Sequence, residues 1–261
     1  MNKKPLLLLL TMTIVLSLFL SACGNEPANT LDKIKQKGVI VMGTSADFPP
    51  FEFHKVEGNK DTIVGFDIDI ANAIAKKLGV KLEIKDMDFK GLIPALQAGR
   101  IDMIVAGMTP TPDRAENVDF SDLYYNSQQV VVVKNDSPIL KFDDLKGKTV
   151  AVQIGTTSEE AAKKIPDVNL KQLNRVGDAF MDLKNGRCDA IVLEDTVANA
   201  YLKEYKDMKI LSMKEINTEE GGMAVAVAKG NKELVNIINE VIKELKTSGE
   251  YDKLIDKWFK Q

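Results

Sequence analysis

One short frame occurs twice in this chain, and that repetition limits the fold more than any other feature. Leu96-Gln-Ala-Gly99-Arg100-Ile-Asp102-Met-Ile104 is echoed by Leu183-Lys-Asn-Gly186-Arg187-Cys-Asp189-Ala-Ile191, so both share L-x-x-G-R-x-D-x-I. The frame reads as a helix that ends at a glycine C-cap and turns into a strand. A second echo precedes each copy. Val39-Ile-Val-Met-Gly43-Thr44-Ser45 and Val150-Ala-Val-Gln-Ile-Gly155-Thr156-Thr157 are both buried-strand patterns that run into glycine and hydroxyl residues. Two similar halves built from strand–helix–strand units predict an α/β chain with two lobes and mostly parallel sheets.

Periodicity fills in the elements. Ile70, Ile74 and Leu78 lie at i, i+4 spacing after Asp67, and Gly79 closes that helix. Lys81-Leu82-Glu83-Ile84 alternates like a strand. Ser158 to Lys164 reads as a helix with Glu159 and Glu160 in its first turn, as the macrodipole favours, and Pro166 stops it. Glu233 to Lys246 carries a continuous apolar stripe, and Tyr251 to Phe259 reads as a last helix with Trp258 on its packed side. Gln129–Lys134 and Met223–Lys229 are apolar extended segments, read as two strands crossing between the lobes. That reading divides the chain into 38–128 as lobe 1, 129–222 as an inserted lobe 2, and 223–261 as a helical return to lobe 1. Two crossings make a hinge that opens and closes.

The N-terminal stretch reads as an address. Lys3 and Lys4 precede the apolar run Leu6–Leu20, which has signal-peptide length and is short for a membrane span. Leu20-Ser21-Ala22-Cys23 then looks like a bacterial lipobox. On this reading 1–22 is a cleaved lipoprotein signal, Cys23 carries the acyl chains, and 23–37 is a tether leading into lobe 1. Lipidated Cys23 leaves Cys188 alone, so no internal disulfide is expected, and Cys188 reads as a small buried residue.

Composition removes several classes. Lys and Arg total 35 against 38 Asp and Glu, so no basic excess points to nucleic acid. The single histidine, His54, rules against histidine-rich zinc sites and paired-histidine catalysis. Neither a metal nor a cofactor is expected. Gly147-Lys148-Thr149 resembles the end of a phosphate loop, but Phe142 stands where its first glycine is required.

Function is expected at the strand ends, where open α/β sheets bind ligands. Asp47-Phe48-Pro49-Pro50-Phe51-Glu52-Phe53 is a proline-stiffened loop presenting aromatics. Gly65-Phe66-Asp67 opens a helix, Ala106-Gly107-Met108-Thr109 ends a strand shortly before Arg114, and Glu194-Asp195 ends another. Such pieces suit an α-amino acid. Arg114, Thr109 and the Thr156-Thr157 turn offer a guanidinium and helix-terminal N–H groups to a carboxylate. Asp195 offers a partner to an ammonium, and Phe48 with Phe66 offers apolar walls.

Taken in order from about residue 31 onward, D-F-P-P-F-E-F, G-F-D-I-D-I, A-G-M-T with Arg114, F-S-D-L-Y-Y and L-x-x-G-R-x-D resemble the bacterial extracellular solute-binding proteins of the polar amino acid class (family 3), in lipoprotein form. The resemblance implies a two-lobed periplasmic-binding-protein-like α/β fold with a cleft between the lobes. It implies a monomeric, lipid-anchored, extracytoplasmic receptor that delivers a polar L-amino acid to an ABC permease and is not an enzyme. The alternatives are an enzyme of the same fold, of the dehydratase type, or a binder of another small solute. By resemblance the ligand contacts are Ser45, Phe48, Phe66, Ala106, Gly107, Thr109, Arg114, Gln153, Thr156, Thr157, Glu194 and Asp195. Phe48 and Phe66 would form an aromatic clamp, Arg114 would hold the carboxylate, and Asp195 would hold the ammonium. Ser45, Gln153 and Glu194 would lie near the ligand side chain. Two departures stand out: Leu123 replaces a proline common in the F-S-x-P-Y-Y stretch, and Ser45 replaces an Asp found in relatives selecting basic amino acids. Glu194 would restore that carboxylate from the other lobe.

Overall fold

The structure, a computed structural model, describes residues 30–217 and 221–260. Cys23 and the signal segment lie outside these residues. After the Thr30–Lys37 helix the chain forms β1 (Val39–Thr44), β2 (Asp47–Phe48), β3 (Glu52–Glu57), β4 (Lys60–Val64), β5 (Lys81–Asp86), β6 (Met103–Ile104), β7 (Val118–Phe120) and β8 (Tyr125–Asn126). It continues through β9 (Gln129–Lys134), β10 (Thr149–Gln153), β11 (Asn169–Leu173), β12 (Ala190–Glu194) and β13 (Met208–Leu211). It returns through β14 (Gly222–Met223) and β15 (Ala226–Ala228) to helices Lys232–Ser248 and Glu250–Phe259.

Two five-stranded sheets result, ordered β5-β1-β6-β15-β7 and β11-β10-β12-β9-β13. In the first, β1 runs parallel to β5 and β6, while β15 is antiparallel to β6 and β7. In the second, β10 runs parallel to β11 and β12, while β9 is antiparallel to β12 and β13. The lobes are therefore near-copies in topology.

The repeated frame performs one local task in both lobes. Gly99 and Gly186 have φ of 65° and 68°, the left-handed conformation that ends a helix without a Cβ clash. The aspartate three residues later turns back to the neighbouring strand. Asp102 accepts from the Val41 N–H at 2.8 Å, and Asp189 accepts from the Thr149 N–H at 2.8 Å. Each thereby fixes where a central parallel strand begins.

Apolar patterning sets the packing. Val131 and Val133 face one core with Val150, Val152 and Val192, while Val130 and Val132 face another with Ala151, Ile191 and Leu193. That alternation makes β9 a strand buried on both faces. The Lys232–Ser248 helix buries Leu234, Ile238, Val241 and Ile242 against the first lobe. Cys188 is buried, and burial pushes its thiol up to about 12, so it stays a neutral packing group.

Of the two apolar extended segments expected to cross between lobes, Gln129–Lys134 does not cross, and Met223–Lys229 does so only at its start. Gln129–Lys134 is β9, inside the second sheet, and Ala226–Ala228 belongs to the first. Crossing is made where Tyr125–Asn126 pairs antiparallel with Gly222–Met223, just before the first segment and at the start of the second. Continuous valine and alanine runs mark burial on both faces, which is a property of sheet interiors rather than of hinges.

Several bonds join the lobes across the cleft. Arg175 makes a two-pronged contact with Asp86 at 3.1 Å and 3.1 Å. The Tyr201 hydroxyl donates to the Asp47 carbonyl at 2.8 Å, and the Val176 N–H donates to the Asp47 carboxylate. The lobes are closed on each other.

Candidate functional site

The closed lobes meet over a narrow cleft. Lobe 1 lines it with Ser45, Phe48, Glu52, Phe89, Ala106, Gly107, Thr109 and Arg114, and lobe 2 with Gln153, Thr156, Thr157 and Glu194. Most of these residues lie at or just beyond the carboxyl ends of β1, β5, β6, β10 and β12, as the fold class dictates, while Phe48 and Glu52 sit on the short strands β2 and β3 that follow β1.

Arg114 is held on three sides. Its Nη1 donates to the Thr109 carbonyl at 2.6 Å, and its Nη2 donates to the Gly155 carbonyl of the opposite lobe at 2.8 Å. The guanidinium stacks over the Phe89 ring, 5.3 Å from its centroid. Thr111 caps the short Pro112–Asn117 helix by accepting from the Arg114 N–H, so the side chain starts from a fixed backbone. Burial lowers its pKa to about 10, with Glu194 and Glu160 opposing the shift, so the cation persists at neutral pH.

Glu194 answers from the other wall. It is buried, and its Oε1 accepts from Gln129 Nε2 at 3.0 Å. Burial raises its pKa, while Gln129 and Arg114 pull it down. Gln129 Oε1 in turn accepts from the Ser158 hydroxyl at 2.8 Å, so the carboxylate rests on a satisfied polar network. Thr156 caps the Thr157–Ala162 helix, accepting from the Glu159 N–H, and Glu159 closes the turn by accepting from Gly155 N–H at 2.6 Å.

Ten of the twelve residues expected at the cleft line it, and Phe66 and Asp195 do not. Phe66 is fully buried in an aromatic cluster, with ring centroids 5.2 Å from Phe259 and 5.6 Å from Tyr251. Its helix starts where Phe66 N–H donates to the Pro50 carbonyl and Asp67 N–H to the Phe51 carbonyl. A Cβ on Gly65 would lie 2.0 Å from the Phe51 carbonyl oxygen, so only glycine allows this approach. The close seat sends Phe66 inward. Asp195 is half-exposed and outside the cleft, its Oδ1 accepting from the Thr196 N–H at 2.7 Å and the Gln128 N–H at 3.4 Å. Adjacent residues at a strand end face opposite sides, so with Glu194 turned into the cleft Asp195 turns to the crossing.

Two lining residues escaped the sequence reading. Phe89 follows the end of β5, a position the strand-end rule could have flagged. Glu52 was hidden inside a run of aromatics and prolines. It is fully buried, and neither carboxylate oxygen has a hydrogen-bond partner among the described residues. Beside it Asp67, also fully buried, accepts from Gly107 N–H and the Tyr124 hydroxyl, both at 2.8 Å, through Oδ2, while Oδ1 lacks a partner. No cluster among the described residues has the composition of a metal site.

Known proteins resemble this chain over nearly its whole length. The Bacillus subtilis arginine-binding extracellular protein ArtP is 43% identical, with 98% of each chain covered. A crystal structure of the substrate binding protein of an amino acid ABC transporter is 84% identical, with a TM-score of 0.84, covering 85% of this chain and 100% of that one. The Streptococcus pneumoniae substrate-binding protein AbpA, solved bound to L-arginine, is 37% identical with a TM-score of 0.83, covering 88% and 98%. The family model for bacterial extracellular solute-binding proteins, family 3, matches residues 40–261. This chain, with its two near-copy lobes and the cleft between them, belongs to that family.

Proposed function

We propose that the protein captures an L-amino acid with a cationic side chain, arginine foremost, and presents it to an ABC import permease. One observation carries the reading: a single cleft sets one guanidinium, Arg114, against two buried carboxyls, Glu52 and Glu194. An α-amino acid backbone uses Arg114 for its carboxylate and Glu194 for its ammonium. Glu52 is then left for the side chain, and a buried carboxyl calls for a cation or a proton. Ser45, Gln153 and Phe48 shape the rest of that end. Arginine-binding relatives support the choice.

The remaining parts of the reading are proposals of the same kind. Closure on the ligand makes the form that docks on the permease. Acyl chains on Cys23 hold a monomer at the outer face of the cell membrane after loss of residues 1–22, and lobe 2 is the insertion spanning 129–222. The protein performs no reaction; Arg114 and Glu194 each have binding partners rather than a proton-transfer geometry. Among the described residues no helix is long and apolar enough to cross a membrane.

A thermal-shift screen of the chain lacking residues 1–23 tests the ligand. Arginine, lysine, ornithine and histidine are compared with glutamine, cystine and the other amino acids. At 100 times its dissociation constant a ligand stabilises by about 2.7 kcal/mol. Shifts confined to basic amino acids are expected; a glutamine-only response would reassign Glu52 to a neutral role. Cys23→Ser should release the protein from the membrane fraction, and retention there would end the lipid-anchor reading.

A further inference from the structure

We propose that ligand capture is a cation-for-proton exchange: the Glu52 and Asp67 carboxyls share one proton in the unliganded protein, and the ligand's side-chain cation displaces it from Glu52 into the solvent. The inference rests on the basic amino acid reading above and adds a proton to its stoichiometry.

The geometry supplies the argument. Among the described residues four buried side-chain atoms lack a hydrogen-bond partner, and three of them are Glu52 Oε1, Glu52 Oε2 and Asp67 Oδ1. Two carboxylates cannot donate to each other, so a fully ionised pair would leave all three buried and unsatisfied, which is costly. A proton on Glu52, donated to Asp67, gives the adjacent carboxyls a hydrogen bond that full ionisation denies them. Asp67 is the ionised partner because its Oδ2 already accepts the Gly107 N–H and the Tyr124 hydroxyl. Glu52 has no such donors.

The largest charges acting on Glu52 from neighbouring elements are acidic. They are Asp67 at the start of the Phe66–Leu78 helix, Asp47 on β2 and Glu194 across the cleft. Asp47 is tied to Val176 and Arg175, and Glu194 to Gln129 and Arg114, so neither brings a free cation to Glu52. Burial first, then Asp67, pushes the Glu52 carboxyl well above the usual range; burial raises Asp67 as well. A guanidinium or ammonium reaching Glu52 reverses that balance. Its charge favours the carboxylate, and its N–H groups replace the lost proton. Cation and proton therefore compete for one carboxyl, and apparent affinity should weaken about tenfold per pH unit once the pH lies below the Glu52 pKa of the unliganded protein.

The test is isothermal titration of arginine into the chain lacking residues 1–23, at fixed pH, in buffers of differing ionisation enthalpy such as phosphate and Tris. Release approaching one proton per arginine is expected, together with affinity that rises with pH. His54, which bonds Asp61 and lies 3.6 Å from Asp86 near the lobe boundary, is another group able to exchange a proton on closure. His54→Gln removes that contribution, and the proton release should survive in this variant. Glu52→Gln should abolish the release and flatten the pH dependence of whatever arginine binding remains. Arginine binding with no buffer dependence between pH 5.5 and 8 would overturn the exchange while leaving the ligand assignment standing. Failure of every basic amino acid to bind would instead bring down the ligand assignment, and the exchange with it.

Discussion

The two lobes share a sheet order yet differ in how their polar groups are satisfied. Lobe 2 brings its cleft residues already bonded among themselves. Gln129 bridges Glu194 and Ser158, Gln153 donates to the Asn174 carbonyl at 3.0 Å, and Glu159 closes the Gly155 turn. Lobe 1 holds all four buried side-chain atoms without partners among the described residues: Thr44 Oγ1, Asp67 Oδ1 and both oxygens of Glu52. One topology thus yields two kinds of surface. Lobe 1 carries the unmet hydrogen-bonding capacity and the aromatic walls, which makes it the selecting half on the ligand reading proposed above. Lobe 2 supplies a rigid, self-satisfied cover with one carboxylate. Desolvating lobe 2 costs little because its groups keep their partners, whereas lobe 1 gains most from a ligand.

The largest effect should come from the aromatic cores, where the lobes ought to behave alike. Phe66 and Phe180 are both fully buried, the latter stacked on Tyr201 at 4.3 Å. Phe66→Ala and Phe180→Ala should each cost about 3–5 kcal/mol of stability, read by chemical denaturation. The more conservative Phe66→Leu should lower the melting temperature without weakening affinity; an affinity loss would return Phe66 to the cleft wall.

Binding variants should then separate the lobes. Arg114→Ala should weaken ligand binding by about 2–5 kcal/mol in calorimetry, with circular dichroism unchanged. Intact affinity would remove the carboxylate from Arg114. Glu194→Gln keeps the volume and part of the Gln129 contact, so a smaller loss of about 1.5–3 kcal/mol is expected. A larger loss than for Arg114→Ala would make lobe 2 the selecting half.

The smallest effect belongs to the bonds across the cleft rim. Arg175 and Asp86 are partly exposed, so Arg175→Ala should cost at most about 1 kcal/mol of affinity, and less at high salt. Burial raises Asp86, but the Arg175 contact and the Ala46 N–H outweigh it and hold the carboxyl below its usual value. Its folded pKa is therefore depressed. That contribution to stability is present above the unfolded value, about 4, and fades as pH falls below it. An acid limb unmoved by Arg175→Ala in denaturation at pH 3 to 5 would show the pair to be inert.

Much of this was legible in the chain. The repeated L-x-x-G-R-x-D-x-I frame announced two like lobes because its glycine and aspartate do local jobs: a left-handed turn and a strand anchor. Strand-end loops placed Ser45, Phe48, Ala106, Gly107, Thr109, Arg114, Gln153, Thr156, Thr157 and Glu194 around one cleft. What escaped depended on facing and on long-range contact. The choice between Glu194 and Asp195 turns on which side a strand end presents, and spacing alone does not set that. Phe66 was misplaced because Gly65 pulls its helix against Phe51. Glu52 gave no signal because its character comes from Asp67, on a different element, and from burial that only the assembled lobe creates.

The strand order of lobe 1 has a bearing on biogenesis. β7 reaches its sheet only through β15, a segment made after the whole of lobe 2. Lobe 2 is one uninterrupted stretch from β9 to β13, so it can fold as soon as it emerges. Lobe 1 must hold an open sheet edge until residues 226–228 arrive and join β6 to β7. The strand order thus lets lobe 2 be completed before lobe 1, whose sheet closes only when β15 is present.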